Sequence, residues 1–92
     1  MTAERRREIV LEPTFLADLA HWIDADRRVA ARLVGLVEAA RRDPFGGFGK
    51  PEPLKGYSAN TWSRRLTGEH RVVYRVEHER IVFLQGRYHY SR

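Results

Sequence analysis

The 92 residues carry 17 Lys or Arg against 12 Asp or Glu, a net charge of +5, and no cysteine. That is chain for one domain with a small core, and it excludes disulfides, thiolate metal sites and thiol nucleophiles. No apolar run approaches the roughly 20 residues of a membrane-spanning helix, and the charged start Met1–Arg7 leads into no long apolar segment, so a cytoplasmic chain without membrane contact or signal peptide is expected. The excess charge is uneven. Residues 1–49 hold eight Arg and eight acids; residues 50–92 hold nine Lys or Arg and four Glu. A basic second half reads either as a solvated face or as a surface for a polyanion or an acidic protein.

Residues 1–7 form an N-terminal extension to a single domain that occupies the whole chain. Arg7–Leu11 reads as a first strand. Pro13 suits a helix start, where its missing N–H costs nothing. Phe15, Leu16, Leu19, Trp22 and Ile23 recur at helical spacing and predict one apolar face, with Phe15 and Trp22 in the core. Asp24-Ala25-Asp26 ends that helix and offers an N-cap to the next. Val29, Leu33, Leu36, Val37 and Ala40 then mark a second helix over 27–42, so a helical hairpin should lie on a sheet.

Residues 43–60 have no period. They contain Pro44, Pro51 and Pro53 with Gly46, Gly47, Gly49 and Gly56, a loop long enough to suggest function. Pro51 and Pro53 bracket Glu52 and restrict the backbone on both sides, which would aim its carboxylate. Beyond the loop the period becomes two. Thr61–Leu66, His70–Val76 and Arg80–Tyr90 read as an antiparallel three-strand meander, with Ile81–Leu84 apolar and central. Arg71, Val73 and Arg75 fall on the face away from Val72, Tyr74 and Val76, and that face should be concave and solvated. The first strand adds to the sheet, giving an α+β domain with about four strands under two helices.

The chemistry concentrates in the second half. Lys50-Pro51-Glu52-Pro53-Leu54-Lys55, Trp62-Ser63-Arg64-Arg65, Glu69-His70-Arg71-Val72-Val73-Tyr74 and Arg87-Tyr88-His89-Tyr90 supply a carboxylate, an imidazole and many cations. These are the components for cutting RNA without a metal: a base, an acid and positive charge for the phosphate. Taken singly, each residue has an ordinary reading. Glu52 would be a solvated loop carboxylate, His89 a surface residue near a chain end, and Arg71 a cross-strand salt-bridge partner. His21, His70 and His78 keep that ordinary reading.

Together with Arg41-Arg42-Asp43-Pro44-Phe45, these segments in this order resemble the YoeB-type (Txe family) toxins of the RelE/ParE superfamily, from about Glu8 to Tyr90. The resemblance implies a RelE-like fold and an mRNA endonuclease acting at the A site of translating ribosomes. It also implies neutralisation by a YefM-type antitoxin, and homodimers as well as toxin–antitoxin complexes. It places the family's general base on Glu52, its transition-state arginine on Arg71, its general acid on His89 and its terminal tyrosine on Tyr90. Supporting cations fall on Lys55 and Arg65; Lys50, Arg64 and Arg87 are further candidates for RNA contact or plain surface charge. The chain departs from the family pattern by running on through Ser91-Arg92.

The chemistry agrees with that placement. RNA brings its own nucleophile, the 2′-hydroxyl. A carboxylate can take its proton, a histidine can protonate the departing 5′-oxygen, and a guanidinium can contact phosphate oxygens in a bidentate way. No metal or other cofactor is expected. Two readings compete: a non-catalytic inhibitor like the ParE branch, which lacks the glutamate–arginine–histidine set, and a basic binding module that co-represses its own operon with an antitoxin.

Overall fold

The computed structural model describes residues 7–88. Strand β1 (Glu8–Leu11) leads into helices α1 (Pro13–Ala25) and α2 (Arg27–Arg42), and four strands follow: β2 (Glu52–Pro53), β3 (Thr61–Arg65), β4 (Arg71–Val76) and β5 (Arg80–Gln85). They form one sheet in the order β1-β5-β4-β3-β2. The meander of β3, β4 and β5 is antiparallel, as the alternation predicts. β1 adds to β5 in parallel, Ile9 opposite Ile81 and Leu11 opposite Phe83, so the sheet is mixed. The strand count rises to five because Glu52-Pro53 pairs antiparallel with Trp62-Ser63. An edge strand tolerates proline where no neighbour needs its missing N–H.

Pro13 stands in the first turn of α1, and the Glu12 amide ahead of it is bonded to the Phe83 carbonyl. Asp26 ends α1 and starts α2: its own amide bonds the Trp22 carbonyl and its side chain accepts from the Arg28 amide. Both roles follow from a short acceptor side chain on extended backbone. Arg41 and Arg42 close α2, where positive charge offsets the dipole's negative end.

Phe15 and Trp22 of α1 and Ala30, Leu33, Leu36 and Ala40 of α2 pack on Leu66, Val72, Tyr74, Val76, Ile81 and Phe83 of the sheet. Burying each large apolar side chain here contributes about 1.5–3 kcal/mol. The apolar face expected on α1 is narrower than its sequence suggests. Leu16 and Ile23, one residue beyond Phe15 and Trp22, turn outward and are half exposed.

β5 stops at Gln85 instead of running to Tyr90. A bulge opposes Tyr74 to Phe83 and Val73 to Gln85, leaving Leu84 as the extra residue. Beyond it the chain bends out of the ladder at Gly86, whose missing side chain leaves room for Leu33: a Cβ there would lie 3.0 Å from that side chain. By Tyr88 the backbone is left-handed, with φ +63°, which ends any extended strand.

Candidate active site

The proline-bracketed glutamate sits on β2 at the sheet edge, opposite Ser63, and Ser63 is opposite Val73 of β4. Two residues along each strand, Arg65 is opposite Arg71. Since Trp62 and Tyr74 face the helices, alternation puts Glu52, Ser63, Arg65, Arg71 and Val73 on the other face. The distance from Arg71 Nη1 to Glu52 Oε2 is 3.5 Å, with the arginine side chain 16% exposed and the glutamate 52% exposed. Two residues 19 positions apart in the chain are therefore brought together on the far side of the sheet. The face is less open than expected. Val73, Val82 and Ser63 are buried on it and form a floor that is apolar but for the serine hydroxyl.

The loop that delivers Glu52 is organised from below by Arg64. Its side chain is fully buried. Nε donates to the Tyr74 hydroxyl (3.0 Å), Nη1 to the Phe48 carbonyl (2.7 Å), and Nη2 to the carbonyls of Asp43 and Gly46 (2.6 Å each). Tyr74 in turn donates its hydroxyl proton to the Pro44 carbonyl at 2.7 Å. One guanidinium thus gathers most of the turn between α2 and β2. Burial raises the Tyr74 phenol above its ordinary value, against the opposing influence of the Arg64 hydrogen bond and charge.

This corrects the sequence-based reading of Arg64 as a phosphate contact, because no phosphate can reach a group enclosed by carbonyls. The signal was present: Trp62, Arg64 and Leu66 alternate, and two of the three are apolar, so all three face inward. Gly49 completes the turn. It has φ +90°, a Cβ there would lie 2.8 Å from Leu36 Cδ2, and its carbonyl accepts from the Arg65 amide at 2.6 Å.

The other expected cations divide. Lys50 and Lys55, which flank Glu52 in the sequence, and Arg65, opposite Arg71, are exposed. Arg87 is half-buried, its guanidinium lies 4.6 Å from the centre of the Tyr88 ring, and its Nε has no hydrogen-bond partner among the described residues. His89 and Tyr90 lie outside the described residues.

The approach to them is well defined. Gly86 donates its amide to Asp18 Oδ2 (2.8 Å) and accepts from Trp22 Nε1 (2.9 Å). Gln85 Nε2 donates to the Arg87 carbonyl (2.9 Å). Tyr88 donates its amide to His70 Nδ1 (2.7 Å) and accepts from the Arg71 amide (3.0 Å). Residues 86–88 thus form a strap whose far end is bonded to the residue that pairs with Glu52.

Sequence reasoning passed over three of these holders. Asp18 is an acid on the apolar face of α1, four residues before Trp22, and such a placement signals a buried partner. His70 and Gln85 carry no comparable mark. His70 was read as a surface residue, yet its ring is edge-on to Trp22 at 4.8 Å and tilted against Tyr88 at 5.6 Å. Among the described residues no group of three or more His, Asp or Glu side chains is placed to hold a metal ion. No helix in the described region is long and apolar enough to cross a membrane.

Comparison with known proteins adds an independent line. Residues 11–90 match a family described as YoeB-like toxin of bacterial type II toxin-antitoxin system. The Toxin YoeB of Mycobacterium bovis is 44% identical over 84 residues, covering 91% of this chain and 99% of that protein. A YoeB/ParE toxin from Agrobacterium tumefaciens superimposes with a TM-score of 0.84 at 42% identity, over 90% of this chain and 99% of the other. The toxin in a YoeB-YefM complex from Staphylococcus aureus gives 0.79 at 30% identity, over 92% and 99%. The two helices and five-strand sheet are the RelE-like fold of these toxins.

Proposed function

Because the chain belongs to the YoeB-like toxins of bacterial type II toxin–antitoxin systems, we propose that it is a ribosome-dependent mRNA endoribonuclease that arrests translation by general acid–base cleavage. The observation that carries this reading is the Glu52–Arg71 pair on the sheet face away from the helices. It sets a proton acceptor beside a phosphate-binding cation, at the end of a loop that Arg64 holds in shape.

In the free toxin the two charges satisfy each other through one long contact, 3.5 Å, with the glutamate half exposed. Such pairs contribute only about 0–1 kcal/mol. An RNA phosphate therefore displaces the carboxylate from Arg71 at little cost. That frees Glu52 to take the proton of the 2′-hydroxyl. The 2′-oxygen then attacks the adjacent phosphorus, and Arg71, helped by Arg65 and Lys55, stabilises the charge that develops on the phosphorane oxygens. His89 gives a proton to the departing 5′-oxygen, and Tyr90 supports it. The products are a 2′,3′-cyclic phosphate and a 5′-hydroxyl. Lys50 and Arg87 are additional contacts to RNA. One glutamate and one histidine on a small surface cannot hold a flexible strand in line for attack, so the ribosome supplies the alignment.

The expected antitoxin is of YefM type, as in the Staphylococcus complex. Its acidic segment, disordered when free, would fold over the basic face. The free toxin is expected to form homodimers as well.

The test is cleavage of a defined message on programmed ribosomes, with chemical identification of the new ends. A 5′-hydroxyl is expected, and a 5′-phosphate overturns the 2′-hydroxyl mechanism. Equal rates on free and ribosome-bound message overturn the ribosome dependence. Growth arrest by a chain that cuts no message on ribosomes would point to a non-catalytic inhibitor.

A further inference from the structure

The strap of residues 86–88 is unusual in that side chains, not a sheet ladder, take most of its backbone hydrogen bonds. Asp18 and Trp22 fix its start at Gly86, and Gln85 fixes the Arg87 carbonyl. Its far end rests on two contacts from adjacent residues: the Arg71 amide to the Tyr88 carbonyl, and the Tyr88 amide to His70 Nδ1.

A backbone amide can only donate, so Nδ1 must act as the acceptor and the ring hydrogen is on Nε2. Nε2 is 3.7 Å from Glu69 Oε1. The ring is held by its edge contact with Trp22, the side chain that also holds Gly86. Backbone contacts brace the turn that carries His70. Its carbonyl accepts from the amides of Leu66 and Thr67, and its amide donates to Thr67 Oγ1. The imidazole is thus an acceptor at a fixed place on the fold, aimed at the last described residue of the chain.

We propose that His70 is a positioning residue: its neutral imidazole latches Tyr88 beside Arg71 and so sets where the following residues, His89 and Tyr90, begin. The proposal rests on the reading that those two residues serve the reaction. His70 touches neither RNA nor the reacting atoms in this scheme; it acts through Tyr88. Its ring packing and its acceptor are separable. Phenylalanine keeps the ring against Trp22 and removes the acceptor. Asparagine gives up the ring but puts Oδ1 at the same number of bonds from the backbone as Nδ1.

The experiment uses full-length toxin and two readouts. The first is amide hydrogen exchange without ribosomes. In His70→Phe the Tyr88 amide should exchange about tenfold faster or more, while the Gly86 amide, held by Asp18, keeps its protection. In His70→Asn, Tyr88 should stay close to wild type. The second is cleavage on programmed ribosomes. His70→Phe should lower kcat about 10- to 100-fold with KM unchanged, and His70→Asn should recover most of it.

Unchanged exchange at Tyr88 in His70→Phe overturns the latch. Faster exchange with full kcat overturns its role in positioning, as does a loss of kcat that His70→Asn does not recover. His70→Leu repeats the acceptor deletion if the phenylalanine variant is not folded by circular dichroism. Wild-type toxin that cuts nothing overturns the reaction reading, while the exchange arm still decides the latch.

Discussion

Replacing Arg64 by methionine tests whether one buried guanidinium holds the loop that carries Glu52. Four hydrogen bonds of 2.6–3.0 Å are lost, three to backbone carbonyls and one to the Tyr74 hydroxyl. Bonds to a charged group contribute about 1.5–3 kcal/mol each, a gross loss of about 6–12 kcal/mol. Against that stands the penalty of keeping a guanidinium out of water, several kcal/mol. Methionine also regains part of the apolar burial, and carbonyls of a surface turn can move toward water. The net loss should be about 3–5 kcal/mol, the range seen when one partner of a buried charged network is removed. That is a large share of the 5–15 kcal/mol of a typical domain, and at about 4–8 °C per kcal/mol it lowers Tm by at least about 12 °C.

Urea titration followed by tryptophan fluorescence gives the free energy, and the thermal scan gives Tm. Tyr74→Phe alone should cost about 1–2 kcal/mol, since it removes the hydroxyl that joins Arg64 to Pro44. The two losses should not add, because both substitutions break the same network. A loss below about 1 kcal/mol for Arg64→Met, or simple additivity with Tyr74→Phe, would refute the reasoning.

Arg71→Ala should lower cleavage on programmed ribosomes about 100-fold or more while ribosome binding is largely kept, and growth arrest by the variant at wild-type potency would contradict its role. Glu52→Gln keeps the size and removes the base, so kcat should fall by about 10²–10⁴-fold with the same product ends. On the proposed function, a chain of net charge +5 binds ribosomal RNA through its phosphates, so ribosome affinity should fall steeply between low and physiological salt, as measured by filter binding or pelleting. Burial raises the Tyr74 phenol, so the folded state binds its proton more tightly than the unfolded chain does. Its stabilisation is complete below the ordinary phenol value near 10 and is lost as pH rises through the folded value, by at most about 1.4 kcal/mol per pH unit. Urea titrations at pH 9 to 11, compared between wild type and Tyr74→Phe, should show this extra decline in the wild type alone.

The elements legible from sequence were those whose pattern repeats over a long enough run. α2, β3 and β4 each repeat their pattern several times, and they lie where that pattern puts them, within a residue. β2 was not legible, because two residues flanked by prolines contain no period; only their partner on β3 makes them a strand. The parallel direction of β1 depends on where the helical hairpin returns the chain, which local spacing does not encode. In the candidate site, Glu52 and Arg71 stood out by motif, and the fold brings them together. Arg64 was misread because charge was weighed ahead of alternation. Asp18, His70 and Gln85 hold the strap through side-chain contacts to backbone, and such bonds leave no regular trace along a sequence.

The place of β5 has a consequence for how the protein is made. It lies between β1 and β4, so among the described residues the first strand pairs only with the last. Until residues 80–85 leave the ribosome, β1 has no partner, and Ile81 and Phe83 are missing from the core. Contacts between such distant parts of a chain form late and slowly. A toxin of this topology therefore cannot complete its fold until β5 has been made and has left the ribosome. The interval before closure leaves the α1–α2 hairpin and the β3–β4 pair as separate local units, and an antitoxin made earlier can already be waiting when they join.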